Sequence, residues 1–259
     1  IGWIQVNRDS AAIQPGSRAY ARSWIRDGSL TSSALLRWGR HEEVKAFLEW
    51  FAPYQYADGK VPCCVDSRGS DPVPEHDSHG EFIYLAAEYF RHTGDTVTVR
   101  RLWPHVARAA AYLDTLRSQR LGAEWRDPAK REFFGILPPS ISHEGYSAKP
   151  MHSYWDDFWA VRGFGDALFL ARVLGDTADA RQLDASRLAF RRDFAASIAA
   201  ACTRHQIAFV PGCADLGDFD ATSTTIALSP VQAGDLAPRG AIEATFERYW
   251  EFFTRRRDG

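Results

Sequence analysis

The sequence predicts an all-α fold built of helical hairpins, and three observations carry that prediction. Apolar residues recur at three- and four-residue intervals through most of the chain, strand-like alternation is scarce, and glycines stand at Gly39, Gly94 and Gly175 where one helical stretch stops and another begins. A glycine that ends a helix immediately before the next one starts marks a tight helical turn.

The elements follow in order. Leu30, Ala34, Leu35 and Trp38 lie on one face of a first helix, and Val44, Phe47, Leu48 and Phe51 on one face of a second, with Gly39-Arg40 between them. A helix over 79–93 stops at Thr93-Gly94-Asp95, and another runs from about 96 to 118. A helix over 153–174 stops at Gly175-Asp176, and another runs over 177–204. A fourth, incomplete hairpin takes Thr222 to Ser229 and then about Ala241 to Arg256, which gives seven or eight helices. Segments 58–78, 120–152 and 206–221 are long and polar, the mark of functional loops in a compact domain. Because short turns close the hairpins at one end, the long loops are expected on one rim.

Composition narrows the function. With 33 acidic against 31 basic residues the net charge is −2, so no general field holds nucleic acid or an anionic membrane, and a neutral partner fits better. No apolar run approaches the roughly 20 residues of a membrane span. The size suits one core, and the chain reads as a single domain over 1–259. It opens on Ile1 and its one methionine is Met151, so it is expected to be part of something longer; the expected location is periplasmic or secreted rather than cytoplasmic. Cys63, Cys64, Cys202 and Cys213 include no C-x-x-C pair, which argues against a zinc ribbon and a redox motif and leaves room for one bridge.

Carboxylates stand beside aromatic rings in stretch after stretch: Tyr20-Ala-Arg-Ser-Trp-Ile-Arg-Asp27, His76-Asp77-Ser78-His79-Gly80-Glu81-Phe82, His143-Glu144-Gly145 and Tyr154-Trp155-Asp156-Asp157-Phe158-Trp159. On these residues the chain resembles the six-hairpin glycosidases, the (α/α)6 barrel superfamily of glucoamylase-like enzymes, trehalases and glycogen-debranching glucosidases. The resemblance implies an (α/α)6 toroid, a carbohydrate substrate, hydrolysis of a glycosidic bond by inversion, and no cofactor. A closed barrel of this kind has twelve helices, so the chain is expected to lack C-terminal hairpins. In this superfamily the general base commonly comes from those later hairpins, and no base is assigned.

Each candidate residue has two readings. In the resembling enzymes an Arg-Asp pair placed like Arg26 and Asp27 grips sugar hydroxyls, the guanidinium donating and the carboxylate accepting; Asp27 also suits the N-cap of a helix starting at Gly28. Tyr20 and Trp24 offer faces to a pyranose ring or pack in the core. His76 and His79 with Glu75, Asp77 and Glu81 combine imidazole and carboxylate as zinc or manganese sites do. Ser78 and Glu81 fit a capping box instead, so no metal is expected there, and His76 and Asp77 are left for substrate. Glu144, in a loop between His143 and Tyr146, has no helix-face explanation and is the expected general acid.

Trp155, Asp156 and Asp157 open a helix, where the dipole favours negative charge. One of the two carboxylates is expected to stabilise the helix and the other to bind hydroxyls with His152. Asp215, Asp218 and Asp220 lack the spacing of a calcium loop; Asp218 and Asp220 either cap the next helix or reach sugar. Two other functional readings stay open. One is a sugar-binding relic lacking a catalytic carboxylate; the other is an epimerase working through His76, His79, His143 and His152.

Overall fold

The computed structural model describes residues 1–143 and 145–257. The α-helices are α1 (Gly2–Val6), α2 (Ile25–Arg37), α3 (His41–Phe51), α4 (Asp77–Thr93), α5 (Thr96–Ser118), α6 (Tyr154–Leu174), α7 (Thr177–His205), α8 (Ala221–Leu228) and α9 (Ala241–Arg255). The fold is all-α with one small sheet. Among the described residues no helix is long and apolar enough to cross a membrane.

The chain divides into two compact units, residues 1–114 with 163–186, and residues 115–162 with the chain from 187 onward. In the first, α2 meets α3 through Gly39, α4 meets α5 through Gly94, and α6 meets α7 through Gly175, with φ of +72°, +66° and +77°. These left-handed turns are where glycine carries no Cβ penalty. Helix α2 packs on α3 and α4, and its approach to α3 depends on Gly28, because a Cβ there would lie 2.4 Å from Phe47 Cζ. Phe47, Phe51 and Phe82 form the aromatic centre of this packing, with Phe47–Phe51 and Phe51–Phe82 ring centroids 5.7 and 6.3 Å apart.

The sheet consists of β1 (Ser23–Trp24), β2 (Cys64–Asp66) and β3 (Gly69–Ser70), all antiparallel, with Trp24 opposite Cys64 and Val65 opposite Ser70. Segment 58–78 is therefore partly stranded, where the sequence reads only as loop. Strands of two or three residues are too short to show alternation. The sheet nonetheless fixes the entry of α2, since Ile25 N–H donates to the Cys63 carbonyl at 3.0 Å.

In the second unit Tyr154, Phe158, Phe190, Phe194 and Ile198 are fully buried. The Phe158 and Phe194 rings meet edge-on at 4.9 Å, and Tyr154 Oη lies 2.9 Å from Ser197 Oγ. Loops 120–152 and 206–221 meet each other here, as the sequence anticipates for those two. Backbone bridges join Ser140 to Met151, Ser153 to Cys213 and Pro211 to Phe219.

Candidate active site

Arg26 lies in the first turn of α2, and its side chain gathers acids from the segment that leads into α4. Nη1 donates to Glu75 Oε2 at 2.8 Å and lies 3.6 Å from Asp77 Oδ2, while Nε is 3.8 Å from Asp27 Oδ2. Burial opposes the charge on Arg26, but the surrounding acids Asp77, Glu81, Glu75 and Asp27 outweigh it, so the guanidinium is held more firmly charged than usual. The expected Arg26, Asp27, His76 and Asp77 are thus neighbours in one unit. Asp27 is the third residue of α2 rather than its N-cap, because the helix starts at Ile25.

Glu81 corrects the capping-box expectation. Helix α4 begins at Asp77, with His76 as an N-cap in helical conformation and no side-chain cap, so Ser78 and Glu81 both fall inside the helix. Ser78 Oγ donates to Asp77 Oδ1 at 3.4 Å instead. Glu81 is fully buried, and neither of its carboxyl oxygens has a hydrogen-bond partner among the described residues. Burial, helped by the charge of Asp77 and opposed by Arg26, pushes its pKa well above the ordinary 4.5.

His79 is also fully buried. Its ring stacks on Tyr112 at 4.9 Å, its Nδ1 lies 3.1 Å from the His76 carbonyl, and burial lowers its pKa to about 4. It is a neutral core imidazole.

The two aromatic residues of this stretch separate. Trp24 is buried with Cys63, Cys64 and Val73, an environment that fits its packing reading. Tyr20 is exposed.

The second unit assembles the other candidates. Asp156, buried at the start of α6, accepts from Ser140 Oγ and from Ser142 Oγ, the latter at 2.9 Å; Ser142 Oγ is also 2.8 Å from Ser153 Oγ. These hydroxyls pin loop 140–143 to the helix. Next to them the His143 ring lies flat on Trp155, centroids 4.7 Å apart and planes 9° from parallel. His143 Nδ1 is 3.2 Å from Ser142 Oγ, and Nε2 is 3.2 Å from Ser223 Oγ and 3.8 Å from Asp220 Oδ2. Glu144, the expected general acid, lies outside the described residues.

Asp220 combines both of its readings. It caps α8, accepting from Ser223 N–H at 3.0 Å and Ser223 Oγ at 2.5 Å, and it stands beside His143. Asp218 closes its own loop, accepting from Cys213 N–H at 3.1 Å and Tyr146 Oη at 3.0 Å. His152 is held on both ring nitrogens, Nδ1 by Asp215 at 3.2 Å and Nε2 by Arg120 Nε at 3.0 Å. That is the geometry of a structural link.

Asp157 is fully buried, one oxygen accepting from Leu137 N–H at 3.0 Å and the other without a hydrogen-bond partner among the described residues, and burial raises its pKa strongly. It anchors the preceding loop through Leu137. Of the two first-turn carboxylates, Asp156 is therefore the one tied to the candidate loop. A groove of about 540 Å³ between Trp125, Arg131, Phe134 and Arg192 is lined by none of the expected residues.

No protein-family model matches the chain, and no curated protein does. Solved structures do share its fold. The chain is similar to a rhamnosidase from Klebsiella oxytoca with rhamnose bound (TM-score 0.62, 17% identity, covering 89% of this chain and 42% of that one). It is also similar to an alpha-L-rhamnosidase from Dictyoglumus thermophilum (TM-score 0.62, 13% identity, 96% and 26%). A third is a GH63 mannosylglycerate hydrolase from Thermus thermophilus in complex with Tris (TM-score 0.65, 16% identity, 99% and 77%). The chain spans less than half the length of either rhamnosidase. At these identities the likeness is one of fold: the chain shares an all-α, helical-hairpin fold with three glycosidase structures.

Proposed function

We propose that the chain is the sugar-binding, catalytic part of a glycoside hydrolase acting on a neutral oligo- or polysaccharide, with Glu144 as general acid in an inverting reaction. The observation that carries this reading is the anchoring of the loop that leads into Glu144. Two serines on Asp156 and the stacking of His143 on Trp155 fix residues 140–143, and a catalytic acid needs such a rigid support. A base on the opposite face of the sugar would activate water, the two carboxyls standing about 6.5–9.5 Å apart as inversion requires.

The remaining candidates take supporting roles. Arg26 with Asp27, Glu75 and Asp77 supplies donors and acceptors in one cluster, which suits a hydroxyl-rich ligand. The epimerase reading draws little from the histidines, since His79 is a core imidazole and His152 is engaged on both nitrogens.

The test is a panel of neutral aryl glycosides, beginning with rhamnosides and mannosides because rhamnosidases and a mannosylglycerate hydrolase share the fold. Proton NMR reads the first-formed anomer. Turnover with inverted product supports the proposal; retained configuration removes the inverting mechanism. Sugar binding with no turnover across the panel favours a binding protein instead.

A further inference from the structure

The adjacent cysteines that rule out a zinc-ribbon spacing bring their sulfurs together. In a regular strand neighbouring side chains point to opposite faces. Cys63, however, precedes β2, where its carbonyl is taken by Ile25 N–H, and its Sγ lies 3.8 Å from Cys64 Sγ. A tetrahedral ion with metal–sulfur bonds of about 2.3 Å sets two thiolates about 3.8 Å apart. An Asp71 carboxylate oxygen completes the group, all three ligand atoms lying within 4.8 Å of one another.

The surroundings fit such a site. Both thiols are buried under Trp24 and Val73, which shield them from solvent. Asp71 is oriented from outside, Oδ1 accepting from Val73 N–H at 3.0 Å and Oδ2 from Arg22 Nη2 at 2.6 Å, and each oxygen keeps a second lone pair. This is the kind of outer support that orients ligating carboxylates. A divalent ion on two thiolates and one carboxylate leaves a single negative charge, which Arg22 offsets through Asp71.

We propose that Cys63, Cys64 and Asp71 form a site for a thiophilic divalent cation of the zinc class, its fourth position taken by water on the partly exposed Asp71 side. Thiolate ligands exclude calcium and magnesium, which require oxygen. The bound ion ties Asp71 to Cys63 and Cys64 within segment 58–78, and so steadies the Cys63 carbonyl that accepts from Ile25 N–H at the entry of α2.

The experiment uses the reduced, chelator-treated chain, titrated with Co²⁺ for its thiolate-to-metal absorption and with Zn²⁺ in competition against a chromophoric chelator. One equivalent should bind with a charge-transfer band, and Zn²⁺ should displace Co²⁺ and raise the thermal midpoint. Cys63→Ser and Cys64→Ser should each lower affinity by at least about 100-fold, and Asp71→Asn by about 10-fold or more. The Co²⁺ spectrum of the unmutated chain needs no variant, so a variant that fails to fold leaves the question decided. Absence of the band, or equal binding by a folded Cys64→Ser chain, overturns the proposal.

Discussion

At the scale of single residues, Glu81 carries a pH dependence of its own, being fully buried with neither carboxyl oxygen hydrogen-bonded among the described residues. The folded-state pKa of Glu81 is raised above its ordinary 4.5, so between those values the folded chain binds more protons than the unfolded one. Stability from this group is therefore greatest in the acid range and declines as pH rises toward the folded-state pKa. Urea midpoints for Glu81→Gln against the unmutated chain, taken from about pH 5 to about pH 8, should diverge in favour of the amide as pH rises; parallel curves would show that Glu81 does not titrate this way. Asp27 answers a different question. Its carboxylate sits with Arg26 at the front of α2, and Asp27→Asn should weaken sugar binding as well as rate, because a hydroxyl-gripping group contributes before the transition state. Calorimetry showing unchanged affinity would remove it from the binding set. The acids of the candidate site were legible in the sequence as carboxylates beside aromatic rings. The serines at 140, 142, 153 and 223 were not, because a serine's role depends on what the fold brings to its hydroxyl. Glu75 gave its signal only as part of a cluster, and its bond to Arg26 spans 49 positions.

At the scale of elements, glycine placement decides how closely helices approach. Gly28→Ala puts a methyl group 2.4 Å from the fully buried Phe47 ring, so α2 or Phe47 must shift. The expected loss is about 1–3 kcal/mol in urea denaturation, the usual range for overpacking a tight core. Gly163→Ala meets backbone, the Gly80 Cα at 2.9 Å, and should cost at least as much. A neutral result at Gly28 would mean that the α2–α3 contact is loose. The hairpin turns were readable because Gly39, Gly94 and Gly175 each occupy a left-handed position that few other residues tolerate. The start of α4 was misread for a physical reason. Ser78 and Glu81 have capping-box spacing, but local spacing cannot tell a helix that begins there from one that begins at Asp77 and turns Glu81 into the core. The small sheet escaped because its strands are held by Trp24–Cys64 and Val65–Ser70 pairings, not by any pattern within themselves.

At the scale of the whole molecule, α9 leaves an aromatic face uncovered: Trp250 is 62% and Phe252 72% exposed, with Tyr249 and Phe253 beside them. A contiguous apolar face of this kind drives association. The 259-residue chain should bind a hydrophobic dye and sediment in part above monomer mass, and Trp250→Glu with Phe252→Lys should abolish both; a dye-silent monomer would mean that the face is too small or too well shielded to act. The fold is shared with three glycosidase structures, but a fold does not assign a reaction, and the proposed chemistry rests on particular side chains. The central claim is that Glu144 donates the proton to the leaving oxygen. Its most direct test is Glu144→Gln, with kcat/KM measured on the best glycoside and affinity for the sugar product measured by calorimetry. The amide keeps shape and hydrogen bonding but has no proton to transfer, so binding should persist while hydrolysis falls by roughly 100- to 10,000-fold. Near-normal turnover by Glu144→Gln would contradict the claim and move the acid to another carboxyl, Asp156 first.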